Sequence, residues 1–62
     1  MNYRLLRPAE AANKTGISLS HLYLLVTEDK FPRPIKISDR VTAFVESEVD
    51  QWISEKIQIC RK

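Results

Sequence analysis

Little in this chain could carry covalent chemistry. Its 62 residues include one cysteine, one histidine and one glycine. A lone Cys60 forms no internal disulfide, and Cys60 with His21 supplies too few soft ligands for a zinc site. A single glycine builds no glycine-rich phosphate loop. No nucleophile–base pair and no paired-carboxylate constellation is visible, so the chain does not read as an enzyme and calls for no cofactor or metal. No apolar run approaches the length that spans a membrane, and no charged segment followed by an apolar one marks a secretory leader. The expectation is a cytoplasmic protein with no membrane partner. Repeats and low-complexity segments are also missing.

The length allows one domain, expected over residues 1–62, with a core over about 4–57 and a frayed tail from Gln58 to Lys62. A chain this short buries only about 60% of its unfolded surface, so the core is thin and an enclosed substrate pocket has no room. The apolar fraction of 44% is ordinary for a folded domain and argues against disorder. The net charge of +2 says little about a partner, but its distribution says more. Residues 1–45 hold seven cations (Arg4, Arg7, Lys14, Lys30, Arg33, Lys36, Arg40) against four acids. Residues 46–62 hold three cations against four acids, so the positive end lies in the first three-quarters of the chain.

What is present is organised around the run from Ile17 to Glu28 and the stretch Lys30–Ile37. Pro8 suits the first position of a helix, where a missing N–H costs nothing, and the alanine-rich segment to Lys14 or Thr15 continues it. Gly16 ends that helix as a left-handed cap, and Ile17 is the apolar residue expected to plug the angle to a second helix. Helix, short turn with glycine, second helix is the helix-turn-helix pattern. Ser18 is an N-cap candidate. Leu22, Leu25 and Val26 then share a core face, while Ser20, Leu24 and Thr27 point the opposite way, with His21 and Glu28 beside them and Leu19 and Tyr23 on the flank.

Pro32 and Pro34 exclude helix and hold the chain extended. Ile35-Lys36-Ile37 alternates like a strand, Ser38-Asp39-Arg40 is turn chemistry, and Val41 to Phe44 is a second β-prone run. Together they predict a two-stranded hairpin wing, with Lys36 and Arg40 near its tip. Whether Ala43 or Phe44 faces inward stays open, because a one-residue change of register exchanges them. Ser47 and Asp50 form an S-x-x-D capping box for a third helix, whose stripe is Val45, Val49, Trp52, Ile53 and Ile57. Tyr3 to Arg7 reads as an extended lead-in. The fold class is α+β, mainly α: a small winged helix-turn-helix with three helices and a two-stranded wing.

A helix followed by a cationic hairpin can fill one DNA groove and touch neighbouring phosphates. The candidate DNA-binding residues are Ser18, Ser20, His21 and Tyr23 on the second helix, with Lys30, Arg33, Lys36 and Arg40 along the exit and wing. Thr27, Arg7 and Lys14 are secondary candidates. The bland alternative is an ordinary capped helix and a solvated charged hairpin. Leu19 and Leu24 lie outside the core stripe and are candidates for a protein contact.

Several of these pieces occur in an order that resembles a known family. Arg4-Leu5-Leu6-Arg7, Thr15-Gly16-Ile17-Ser18, Leu22-Tyr23, Lys30-Phe31-Pro32, Pro34, Ile37, Arg40, Glu46-Ser47-Glu48-Val49 and Trp52-Ile53 together resemble the AlpA family of prophage regulators over about residues 4–57. The resemblance implies a MerR-like winged helix-turn-helix related to phage excisionases. The implied function is a sequence-specific double-stranded DNA-binding regulator of prophage or genomic-island genes, with helix 18–28 in the major groove and wing 33–44 on the backbone. The alternatives are an excisionase-type factor that bends DNA for an integrase, and a protein-interaction module with the same fold and little DNA affinity. Implied partners are duplex DNA, an integrase or RNA polymerase, and further copies of the chain as a homodimer or cooperative multimer on DNA. The chain departs from the family pattern at Leu19 and Leu24, where basic residues are usual, and at Ser38 and Asp39, where glycines are common.

Overall fold

In a computed structural model that describes residues 3–61, the chain runs β1 (Leu5–Leu6), α1 (Pro8–Thr15), α2 (Leu19–Thr27), β2 (Ile35–Ser38), β3 (Val41–Val45) and α3 (Glu46–Cys60). Three helices and a small antiparallel sheet make a mixed α+β fold that is mainly helical. It is compatible with the small winged helix-turn-helix expected from the pattern.

The boundaries of α1 and α2 follow local chemistry. Pro8 stands at the first turn of α1, and the Glu10 carboxylate accepts the Arg7 backbone N–H at 2.8 Å. Gly16 then turns left-handed at φ 78°, a conformation that costs glycine nothing. Its N–H donates to the Ala12 carbonyl at 2.9 Å, and the Ile17 N–H reaches the same carbonyl at 3.2 Å. This closure satisfies orphan carbonyls and turns Ile17 onto the core, where it is partly buried. At the start of α2 the Ser18 hydroxyl accepts the His21 backbone N–H at 3.1 Å, as an N-cap serine should. The C-terminus of α2 repeats the α1 closure without glycine. Asp29 adopts φ 63°, its N–H donates to Val26 at 3.1 Å, and the Lys30 N–H donates to Leu25 at 2.8 Å. Aspartate is one of the few side chains that tolerates this region.

The sheet is larger than expected. The order is β1-β3-β2, so the hairpin wing is joined by a third strand, the short lead-in Leu5–Leu6. Leu5 pairs with Val45 and Leu6 with Phe44. Two residues are too few to show period-two alternation, which is why this strand could not be recognised from the pattern. Pairing on both sides makes β3 the central strand. Phe44 is wholly buried and belongs to the core cluster. Ala43 is also buried but lies outside that cluster, so the register question has an answer: Phe44 faces inward, and Ala43 is covered on the other face. β2 pairs with β3 as Ile35–Ala43, Lys36–Thr42 and Ser38–Val41, leaving Ile37 as the extra residue of a bulge. Among the described residues Asp29 is the only non-glycine with positive φ, so the Asp39-Arg40 turn is not of the mirror-image kind that matches strand twist. The bulge takes up that mismatch.

The third helix also differs from expectation at both ends. β3 runs straight into α3, which begins at Glu46, with Val45 as the cap and no side-chain capping bond. The Ser47–Asp50 box is not used. The Glu46 N–H donates to the Arg4 carbonyl of the neighbouring chain segment at 2.8 Å, so a backbone carbonyl serves one of the orphan donors. Asp50 instead binds Lys14 at 2.7 Å. At the other end the helix continues to Cys60 rather than fraying from Gln58, and Lys62 lies outside the described residues.

The core is Leu6, Ala11, Ala12, Leu22, Phe31, Phe44 and Val49, with Ile17, Leu25, Val26, Trp52 and Ile53 packed around it. Ala11 and Ala12 let α1 approach its neighbours closely. Phe31 is the member that periodicity could not supply. It meets Phe44 edge-on at 5.4 Å and Trp52 at 4.8 Å, and the Trp52 indole N–H donates to the Lys30 carbonyl at 2.8 Å. At the surface, Lys14 bridges Glu46 at 3.1 Å and Asp50 at 2.7 Å, while Arg4 lies 3.8 Å from Glu46.

Two outcomes are expected. Leu22→Ala removes a wholly buried side chain. It should cost about 2–5 kcal/mol, comparable with the entire stability of so short a chain, so circular dichroism at 37 °C should show the variant largely unfolded. The Asp50 and Glu46 carboxylates raise the Lys14 pKa above 10.5. The folded state then binds this proton more tightly than the unfolded one, so the contribution is complete at neutral pH and is lost as pH climbs through the raised value. Urea midpoints of the native chain and Lys14→Met should differ at pH 7 and converge in strong alkali, and high salt at pH 7 should narrow the difference.

Candidate nucleic-acid interface

The outward face of α2 is built by the same periodicity that fills the core. With Leu22, Leu25 and Val26 turned inward, Ser20, Leu24 and Thr27 project from the opposite side, and all three are exposed. His21 is exposed beside them, and Tyr23 on the flank keeps 48% of its surface. Leu19 and Leu24 remain 42% and 53% exposed. No side chain of α2 from Leu19 to Thr27 is an acid, a lysine or an arginine.

The hydrogen bonds narrow what this face can offer. Ser18 already accepts the His21 N–H as the cap. The Thr27 hydroxyl donates back to the Tyr23 carbonyl at 2.9 Å. Ser20, His21 and Tyr23 have no side-chain hydrogen bond among the described residues, so their polar atoms remain available to a partner.

The expected cations fall into two groups. Arg33 lies 3.3 Å from Asp29, and Lys30 lies 3.9 Å from Glu28. Both pairs are exposed and therefore weak, but they offset the positive charge of the exit segment locally. Lys36 on β2 and Arg40 in the turn are exposed, with no ion pair among the described residues. Of the secondary candidates, Arg7 is exposed and has no ion pair among the described residues, whereas Lys14 is held by two carboxylates of α3. The Arg33–Asp29 pair had no signal in the sequence, because the prolines rule out the helix in which a spacing of four brings side chains together. It forms across the turn at Asp29, where the backbone is left-handed.

No group of three or more histidine, cysteine, aspartate or glutamate residues among those described could hold a metal ion. No described helix is long and apolar enough to cross a membrane. Replacing the cap tests the local construction: Ser18→Ala should cost about 1 kcal/mol of stability, read as a shift of the urea midpoint at unchanged slope.

Comparison with known proteins supplies the family. Residues 4–57 match the family described as Prophage CP4-57 regulatory protein (AlpA). Searches of curated proteins and of solved structures returned no match. With nearly the whole chain inside the family match, and with the glycine turn, the Phe31 anchor and the exposed wing all within its span, the chain belongs to the AlpA family of prophage regulatory proteins.

Proposed function

We propose that this chain acts as a single winged helix-turn-helix domain that binds double-stranded DNA and regulates prophage or genomic-island genes in the cytoplasm, without catalysis. α2 enters the major groove, presenting Ser18, Ser20, His21 and Tyr23, and the hairpin of β2 and β3 lies on the backbone or in the adjoining minor groove. Lys30 and Arg33 exchange their local carboxylates for phosphates on binding, while Lys36 and Arg40 meet phosphates directly.

The observation that carries this reading is the contrast among the cations. Arg4 and Lys14 lie against acids of α3, whereas the wing holds Lys36 and Arg40 exposed and without an ion pair among the described residues. Two exposed cations on a hairpin whose one acid is Asp39 are suited to counterion release from a duplex. One small module buries about 600–1,000 Å² of its own surface against DNA, so useful affinity follows from several copies on repeated sites. The exposed leucines at 19 and 24 favour one competing reading, a protein-interaction module on the same scaffold, with an integrase, RNA polymerase or a second copy as the partner.

Titration of a random-sequence duplex over a range of salt separates the two. Salt-sensitive binding is expected, and the Lys36→Ala, Arg40→Ala double variant should bind every sequence more weakly, with the log–log salt slope reduced by about 2. No duplex binding at low salt, or a double variant that binds as tightly as the native chain, would overturn the DNA reading.

A further inference from the structure

We infer that Leu24 is a base-reading residue that selects thymine, packing on the C5 methyl group in the major groove, so that the sites this chain prefers carry thymine beneath the centre of α2. The inference rests on the proposed DNA reading and goes beyond it by naming which base edge the helix recognises.

The argument starts from what α2 cannot do. Guanine is most often read by a bidentate arginine or lysine, and cytosine by a carboxylate. From Leu19 to Thr27 the helix has none of these. Polar readout is further reduced by the two hydroxyls already engaged, Ser18 in the cap and Thr27 on the Tyr23 carbonyl. What stands at the middle of the outward face is Leu24, on the side opposite the core residues Leu22, Leu25 and Val26, and more than half exposed at 53%. Its neighbours on that face are Ser20 and Thr27, and with its hydroxyl turned back to the backbone Thr27 chiefly has a methyl group to present.

The major groove displays hydrogen-bond donors, hydrogen-bond acceptors and a single kind of apolar group, the thymine methyl. A leucine pressed against a donor or acceptor strips its water and returns no bond, which penalises the other bases at that position. Against thymine the same leucine buries the C5 methyl group, which stands out from the ring edge and leaves the adjacent O4 open to water. Discrimination therefore comes from both sides, a gain at thymine and a loss elsewhere. The gain from one buried methyl group is about fourfold in affinity.

Duplexes selected from a random pool by the native protein are resynthesised with deoxyuridine in place of thymidine, one position at a time. This removes the methyl group alone and keeps the base pair and its hydrogen-bonding edge. The expected result is thymine enrichment at one or two positions of the selected site, a loss of about fourfold on substitution at such a position, and little or no such loss in Leu24→Ala. The variant should stay folded, because the side chain is exposed and alanine favours helix. Three results would overturn the inference. Tight binding that ignores the methyl group would sink it while leaving the DNA reading intact. The same holds if Leu24→Ala lowers the association state of the free protein and keeps the native methyl dependence, which would assign Leu24 to a protein contact. Failure to select any duplex would remove both.

Discussion

Phe31 holds the two halves of this molecule to one another. It lies in the linker between α2 and β2, and it is buried against Phe44 of the central strand and Trp52 of α3, both edge-on. The Trp52 indole fastens the preceding carbonyl of Lys30. A segment containing Pro32 and Pro34 has little regular hydrogen bonding of its own, so without this aromatic contact the path from helix to wing would be unspecified. Aromatic pairs in these geometries contribute beyond the area they bury, and here they also fix a direction. The closure at Asp29 aims the chain toward that contact, and the prolines keep it extended afterwards.

Electrostatics then sort the surface. The acids at the start of α3 sit where the helix dipole favours them. They also face Arg4 and Lys14 from the N-terminal third. One cluster thus ties β1, α1 and α3 together and neutralises part of the positive charge near the front of the chain. Among the described residues, none of those carboxylates pairs with Lys36 or Arg40 of the hairpin. A net charge of +2 would suggest almost no polyanion affinity if it were spread evenly. Residues 35–45 hold two cations against one acid, Asp39, so part of that charge sits on the exposed hairpin.

On the proposed reading, affinity and selectivity reside on different elements. The wing supplies charge, which contacts phosphate and carries no sequence information. α2 supplies shape, three available polar side chains and an apolar centre, with no charge to bind non-specifically. A helix of that composition contributes little to attraction at a distance and much to discrimination at contact. On that reading the exposed Leu24 at the centre of the helix sets the base preference.

Local signals in the sequence determined α1, the Gly16 turn and α2, because caps, prolines and helical periodicity act within a few residues. The same holds for the existence of the hairpin, where Ile35 to Ile37 and Val41 to Phe44 flank a turn of polar residues. Long-range pairing was not legible. β1 is too short to show a pattern and exists because β3 had a free edge. The Ser47–Asp50 box was plausible chemistry displaced by Arg4 and Lys14, which come from residues more than thirty positions away. Among the candidate site residues, the sequence named which carry charge or hydroxyls. The cap role of Ser18 was legible locally, but only the folded arrangement decided which cations are already engaged: Arg33 with Asp29 and Lys14 with α3, but among the described residues not Lys36 or Arg40. A residue's chemistry is written in its own side chain, whereas its availability depends on neighbours that folding brings from elsewhere.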